Sequence, residues 1–186
     1  MAFFMDINTF KIFVVLLLLF TTLRARNSLL MTMLTIAYVT LFSTSLLWLV
    51  YMLIGLLLSP LAFSLTFFIS YRRWLPSFFP LDFGLPFRNP EIAIQAFNEE
   101  IVWRDFVLLF FLKNSNTMLQ IIFVIVFTAT FVAMHEHARE KRQFVEFFCF
   151  SLMLMVSCMF CFGLHYGLHI GRNYILLTYQ KKGMLI

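Results

Sequence analysis

Charge is the scarcest property of this sequence. Asp, Glu, Lys and Arg make up only 12% of its 186 residues, and residues 28–70 carry no charge at all. Soluble domains are usually about 45–50% apolar, whereas 62% of this chain is hydrophobic and 19% is aromatic. The composition therefore excludes an ordinary soluble domain and is typical of a protein that crosses a membrane several times.

The chain also lacks a polar block long enough to form a separate soluble domain, and it shows no internal repeat. We therefore expect a single integral membrane domain over residues 1–186. The net charge of +5 does not indicate a nucleic-acid partner, because the basic residues form short clusters between apolar runs. Such clusters are typical of the cytoplasmic loops of membrane proteins, so the partner that they predict is the lipid bilayer.

Two further signals are missing. The apolar run near the N-terminus has no basic segment before it and no small-residue cleavage site after it, so we expect a retained helix rather than a cleaved signal peptide. Cys158 and Cys161 form C-x-x-C, but without the strand and helix that surround a redox motif. Together with Cys149 they are expected to be small apolar residues of membrane helices.

The apolar runs predict an all-α bundle of about seven transmembrane helices. The expected spans are residues 8–23, 28–47, 48–70, 91–112, 117–136, 143–161 and 162–180. With the N-terminus outside, most basic residues fall on the cytoplasmic side, as the positive-inside rule requires. These residues are Arg24, Arg26, Arg72, Arg73, Arg139, Lys141, Arg142, Lys181 and Lys182.

A connector rich in proline, residues 74–92, separates the N-terminal spans (1–73) from a C-terminal core (93–180). Four prolines among aromatic residues forbid a continuous helix there, and aromatic residues beside arginines favour the membrane interface. We expect an interfacial connector. The alternative is a lid or entry gate, because the segment leads directly into the helix that carries Glu99 and Glu100.

Two adjacent carboxylates, those of Glu99 and Glu100, lie in the otherwise apolar span 91–112. A charged side chain within a membrane span usually marks a functional site. Glu100 and Arg104 are four residues apart, so they share a helix face and can pair. Glu99 is turned by about 100° from Glu100, so it can face a cavity and act as a general base. The alternative is a purely structural ion-pair network at the interfacial end of the helix.

Two histidines and an asparagine are candidates for the same site. His135 ends its predicted span at a depth compatible with that of Glu99, whereas His137 is expected to be a solvated interfacial residue. His169 and Asn173 are four residues apart in the last span, so they share one face of that helix. The alternative for this pair is hydrogen bonding between helices.

Glycines form a second stripe on the last span. Gly163, Gly167 and Gly171 repeat at every fourth position, the pattern that lets membrane helices approach closely. The polar stripe is offset from the glycines by two positions, or about 200° on the helix, so it faces the opposite way. His165 extends the polar stripe, and the sequence assigns it no role.

The polar residues fall into three motifs that together resemble the signature of the CAAX protease and bacteriocin-processing family (CPBP, or Abi). Its members are intramembrane glutamic proteases related to the eukaryotic CAAX prenyl endopeptidase. The motifs are E-E-x-x-x-R (Glu99, Glu100, Arg104), F-x-x-x-H (Phe131, His135) and H-x-x-x-N (His169, Asn173). The resemblance covers roughly residues 95–175, and Arg172 departs from it, since an apolar residue is more usual there.

The resemblance implies a role for each matched residue. Glu99 would be the base that activates water, with His135 as its partner, and the adjacent ion pair would hold the helix in place. His169 and Asn173 would stabilise the oxyanion, where each donor contributes about 3–4 kcal/mol. No cofactor is expected, although the Glu, His, His set also suits zinc as an alternative.

The expected function is therefore that of an intramembrane endopeptidase acting near the cytoplasmic face of the membrane. Its partner would be a peptide or protein substrate, with a prenylated protein as one option. The membrane would be the plasma membrane of a prokaryotic cell or the endoplasmic reticulum of a eukaryotic one. The alternatives are a non-catalytic immunity or regulatory protein of the same fold and an ion- or proton-coupled transporter.

Overall fold

The computed structural model describes residue 33 and residues 46–75, 84–112, 115–135, 140–161 and 163–182. The regular structure of these residues is helical, and they form no strand. The helices are α1 (Leu46–Tyr71), α2 (Leu85–Arg88), α3 (Pro90–Glu100), α4 (Thr117–Ala133), α5 (Lys141–Phe160) and α6 (Leu164–Lys181). The prediction of an all-α fold is confirmed for this part of the chain.

Most predicted spans in the described residues correspond to an observed helix, with ends shifted by a few residues. The span 48–70 is α1, which continues through Pro60, and the last two spans are α5 and α6. The predicted spans 8–23 and 28–47 lie almost wholly outside the described residues. Two helices are long and apolar enough to cross a membrane, Leu47–Tyr71 and Lys141–Phe160, whereas α4 is apolar but has only 17 residues.

Helix α6 forms the centre of the bundle, with α1, α3 and α5 packed around it. Its glycine stripe faces α1, as the four-residue spacing predicts. A Cβ atom at Gly167 would collide with the backbone carbonyl of Met52, and one at Gly55 would collide with the carbonyl of Leu164. The absence of side chains at these positions lets the two helix backbones touch, which fixes how α6 is rotated.

The opposite face of α6 is buried as well, although it is polar. His165 and His169 are 0% and 2% exposed, so this face is covered by protein. The covering elements are α3, α5 and the turns that follow α3. Because this face of α6 is covered, its polar side chains depend on other groups of the protein for their hydrogen bonds.

Helix α3 continues into two π-helical segments, Ile101–Asp105 and Leu108–Leu112. These wider turns are rare in proteins and occur frequently at functional sites. In the first of them Arg104 and Asp105, neighbours in sequence, are both 1% exposed. Two consecutive charged side chains are therefore turned into the bundle at the same level.

Candidate active site

Glu100 anchors the polar centre of the bundle. Its side chain is 0% exposed, and its Oε1 atom lies 3.1 Å from Nη1 of Arg104 and 2.6 Å from Nδ1 of His169. The i,i+4 pair expected from the sequence is thus present, and the histidine of the third motif joins it. Because a buried carboxylate is costly without a cation, this arrangement offsets the desolvation of both charged groups.

The guanidinium of Arg104 is held on two further sides. Its Nη2 donates a hydrogen bond of 2.7 Å to Oγ of Ser151 on α5. Its Cζ atom lies 3.9 Å from the centroid of the Phe131 ring on α4, a cation–π contact. Phe131 is the aromatic residue of the second motif, so this contact joins the first motif to the second.

Glu99 points in another direction, toward both other motifs. Its Oε2 atom lies 3.8 Å from Nε2 of His135 and 3.6 Å from Nε2 of His169. Its Oε1 atom accepts a hydrogen bond of 3.0 Å from Nε2 of Gln95, one turn earlier on α3. The Glu99 side chain is 12% exposed, in contrast to the fully buried Glu100.

The hydrogen bonds of the two histidines define which ring nitrogen faces Glu99. Nδ1 of His135 lies 2.7 Å from the carbonyl oxygen of Phe131, which can only accept, so Nδ1 carries the proton. Nδ1 of His169 donates in the same way to the carboxylate of Glu100. Nε2 of each ring then faces Glu99, and it is an acceptor in the neutral form of the ring.

With both rings neutral, three acceptor atoms converge in one place, at separations longer than a direct hydrogen bond. A water molecule bridges groups at such distances by donating to two of them. A carboxylate and an imidazole that both accept from one water are the arrangement that general-base chemistry needs. The geometry is suited to binding and deprotonating water.

A cavity of about 210 Å³ adjoins these atoms. Its polar wall includes Glu99, His135, His169 and Asn173, together with Gln95, Arg172 and Gln180. Its apolar wall includes Ile92, Leu176 and Leu177. A water molecule occupies about 30 Å³ of liquid, so the cavity has room for several waters or for a short piece of backbone.

The structure thus brings all four predicted catalytic residues to one cavity and leaves the supporting pair beside it. Asn173 lines the cavity wall, one helical turn beyond His169. His137 lies outside the described residues, as do residues 76–83 of the predicted connector.

Sequence reasoning missed Gln95, and it also missed the partner of Arg172. Nη2 of Arg172 lies 2.7 Å from Oε2 of Glu146 on α5, and both residues are less than 10% exposed. Thr66 on α1 donates to the other carboxylate oxygen of Glu146 at 3.1 Å. The available signal was Arg172 itself, since an arginine on a buried helix requires an anionic partner.

A search with protein-family models found none that matches this chain, and comparisons with curated proteins and with solved structures gave no significant match.

Proposed function

We propose that this protein is an intramembrane endopeptidase of the glutamic type, similar to the CPBP family. The observation that carries the proposal is the position of Glu99. Its Oε2 atom lies within 4 Å of Nε2 of both His135 and His169, at the wall of a cavity. Hydrolysis of an amide needs a base, a positioned water and a place for the scissile carbonyl, and this arrangement offers all three.

In the proposed mechanism Glu99 and His135 accept hydrogen bonds from one water molecule. Glu99 takes a proton from the water, and the oxygen of the water attacks the carbonyl carbon of the substrate. The proton then passes to the leaving amine as the C–N bond breaks, which leaves a new carboxylic acid and a new amine. The carboxyl group of Glu99 first accepts the proton and then donates it, so the proposed mechanism requires no cofactor.

The carbonyl oxygen becomes an oxyanion during the attack. The Asn173 amide is a neutral N–H donor on the cavity wall, whereas His169 can donate from Nε2 only as an imidazolium. Preorganised donors of this kind each contribute about 3–4 kcal/mol to the stability of the transition state. Arg104 and Glu100 act indirectly, because they hold His169 in its orientation.

We further propose that the whole chain forms about seven transmembrane helices. Support comes from a stripe of exposed side chains on α1, namely Leu53, Leu57, Leu61 and Leu65, all at least 46% exposed. Residues four apart lie on one helix face, so this stripe offers a continuous apolar surface to lipid or to the N-terminal spans. Such surfaces are unusual in soluble monomers.

Basic residues support the proposed orientation. Arg72 and Arg73 follow α1, and Lys181 and Lys182 end α6. The ends of these helices are adjacent, because Phe67 and Tyr179 belong to one buried cluster. The start of α5 lies at the same end, since the hydroxyl of Ser70 donates to the carbonyl of Arg142. In the proposed topology this end faces the cytoplasm.

The substrate class that we propose is a peptide or protein that reaches the cavity from the membrane or from the cytoplasmic interface. Prenylated proteins are one option within this class. The protein would reside in the plasma membrane of a prokaryote or in the endoplasmic reticulum of a eukaryote, and nucleic acid is not a partner.

The test compares protein termini in membranes of host cells that produce three forms of the protein. The forms are the wild type, Glu99→Gln, and Glu91→Gln as a control at an exposed position of the same helix. Mass spectrometry of the termini should detect new ends with the wild type and Glu91→Gln but not with Glu99→Gln. Identical sets of termini with all three forms would contradict the proposal and favour a non-catalytic immunity or regulatory role.

A further inference from the structure

A second cluster of ionisable side chains lies deeper in the bundle than the Glu99 site. Asp105 on the first π-helical segment, Cys158 on α5 and His165 on α6 meet there, and they are 1%, 2% and 0% exposed. His165 lies one helical turn before His169, so the cluster is adjacent to the proposed active site but separate from it. The proposed protease mechanism uses none of these three residues.

Each residue of the cluster offers one atom that can bind a metal ion, and the three atoms lie close together. Oδ1 of Asp105 lies 3.2 Å from Nε2 of His165 and 3.7 Å from Sγ of Cys158, and all three atoms lie within 4.8 Å of one another. A tetrahedral zinc ion binds nitrogen and oxygen at about 2.0–2.2 Å and sulfur at about 2.3 Å, which separates its ligand atoms by roughly 3.3–3.8 Å. The two separations that Oδ1 of Asp105 makes are close to this range.

Tyr166 fixes the orientation of the carboxylate. Its hydroxyl donates a hydrogen bond to Oδ2 of Asp105, so Oδ1 is the oxygen that faces His165 and Cys158. Ligands of metal ions are commonly held in this way by a second hydrogen-bonding partner, which fixes their direction before the metal binds.

The carboxylate of Asp105 supplies negative charge for a cation at this point. The buried carboxylates of Glu100 and Glu146 are paired with arginines, whereas the carboxylate of Asp105 is paired with the imidazole of His165. A divalent ion would neutralise the carboxylate and bind the histidine and the cysteine at the same time.

We propose that Asp105, Cys158 and His165 bind a zinc ion through Oδ1, Sγ and Nε2, with a water molecule as the fourth ligand. The combination of thiolate, imidazole and carboxylate suits zinc, whereas magnesium and calcium prefer oxygen ligands alone. On binding, the Cys158 thiol releases its proton to solvent and the thiolate becomes a ligand. The ion would join the π-helical segment, α5 and α6. This proposal does not depend on protease activity.

The test measures metal in the full chain purified in detergent, after loosely bound ions are removed with a chelating resin. We expect one zinc ion per chain in the wild type by elemental analysis. Cobalt added to the metal-free protein should give the charge-transfer absorption of a thiolate ligand. Cys158→Ser should lose both signals, while Cys161→Ser, a neighbouring cysteine outside the cluster, should keep both.

Two further variants separate this site from others and from a failure to fold. Asp105→Asn keeps the size of the side chain and should also lose zinc, while it elutes as a folded monodisperse protein. Glu99→Gln should retain zinc, because Glu99 is not a ligand of this site. The proposal would be overturned if the wild-type protein contained no zinc and gave no cobalt signal. It would also be overturned if Cys158→Ser kept its zinc, or if Glu99→Gln lost it.

Discussion

Nδ1 of His169 and Oε1 of Glu100 lie 2.6 Å apart in the interior of the helix bundle. This hydrogen bond connects α3 to α6 and decides the orientation of the imidazole, because Nε2 must then point toward Glu99. The two adjacent glutamates consequently have different tasks. Glu100 orients a histidine and balances an arginine, and Glu99 faces the cavity.

The first prediction concerns the buried ion pair. Arg104→Ala would leave the carboxylate of Glu100 buried without its cation, which costs about 3–5 kcal/mol of stability. The thermal unfolding midpoint in detergent, followed by tryptophan fluorescence, should fall sharply. Arg142→Ala removes an exposed arginine on α5 and serves as the control, with a change within about 0.5 kcal/mol. Equal effects of both substitutions would refute the structural role of Arg104.

A second prediction addresses the contact between α1 and α6. Gly167→Ala would place a methyl group against the carbonyl of Met52, and backbone atoms cannot move away as a flexible side chain can. Overpacking of this kind usually costs about 1–3 kcal/mol. Ala133→Leu adds a larger group at an exposed position of α4 and should be nearly neutral. If Gly167→Ala unfolds at the wild-type temperature, the two helices do not pack as described.

The Glu146–Arg172 pair allows a double-mutant cycle. Each single change, Glu146→Leu or Arg172→Leu, leaves one buried charge without its partner and should cost about 3–5 kcal/mol. The double variant replaces both charges with apolar groups and should recover much of that loss. Unfolding measurements on the four proteins give the coupling energy. Losses that simply add would show that the two side chains do not interact.

Gln95 provides a prediction about activity rather than stability. It donates to Oε1 of Glu99, and a hydrogen bond to a charged group contributes about 1.5–3 kcal/mol. Gln95→Ala should therefore slow cleavage by about tenfold or more, with an unfolding midpoint close to that of the wild type. The measurement is the cleavage rate of a peptide identified from the new termini. An unchanged rate would show that Gln95 does not position Glu99.

Much of this architecture could be predicted from the sequence because it depends on local spacing. The pairing of Glu100 with Arg104 follows from four residues on one helix, and the contact made by Gly167 follows from the same period. The polar stripe was predicted to lie opposite the glycines, and its residues His165 and His169 are buried on that face.

The remaining features depend on how separate helices are rotated against one another. Nothing in the spacing shows that Glu146 meets Arg172, since the two lie 26 residues apart on different helices. The position of Asp105 depends on the π-helical turn, which the sequence does not reveal. Both cases are pairings between elements, and a single sequence carries periodicity within an element far more clearly than contacts between elements.

The central claim is that Glu99 activates water, and the cleavage rate of purified Glu99→Gln tests it most directly. The protein would be reconstituted in lipid vesicles with a peptide found among the new termini, beside wild type and the Glu91→Gln control. General-base catalysis contributes about 10²–10⁴-fold, so Glu99→Gln should lose at least a hundredfold in rate while its unfolding midpoint is retained. A rate within tenfold of the wild type would contradict the account.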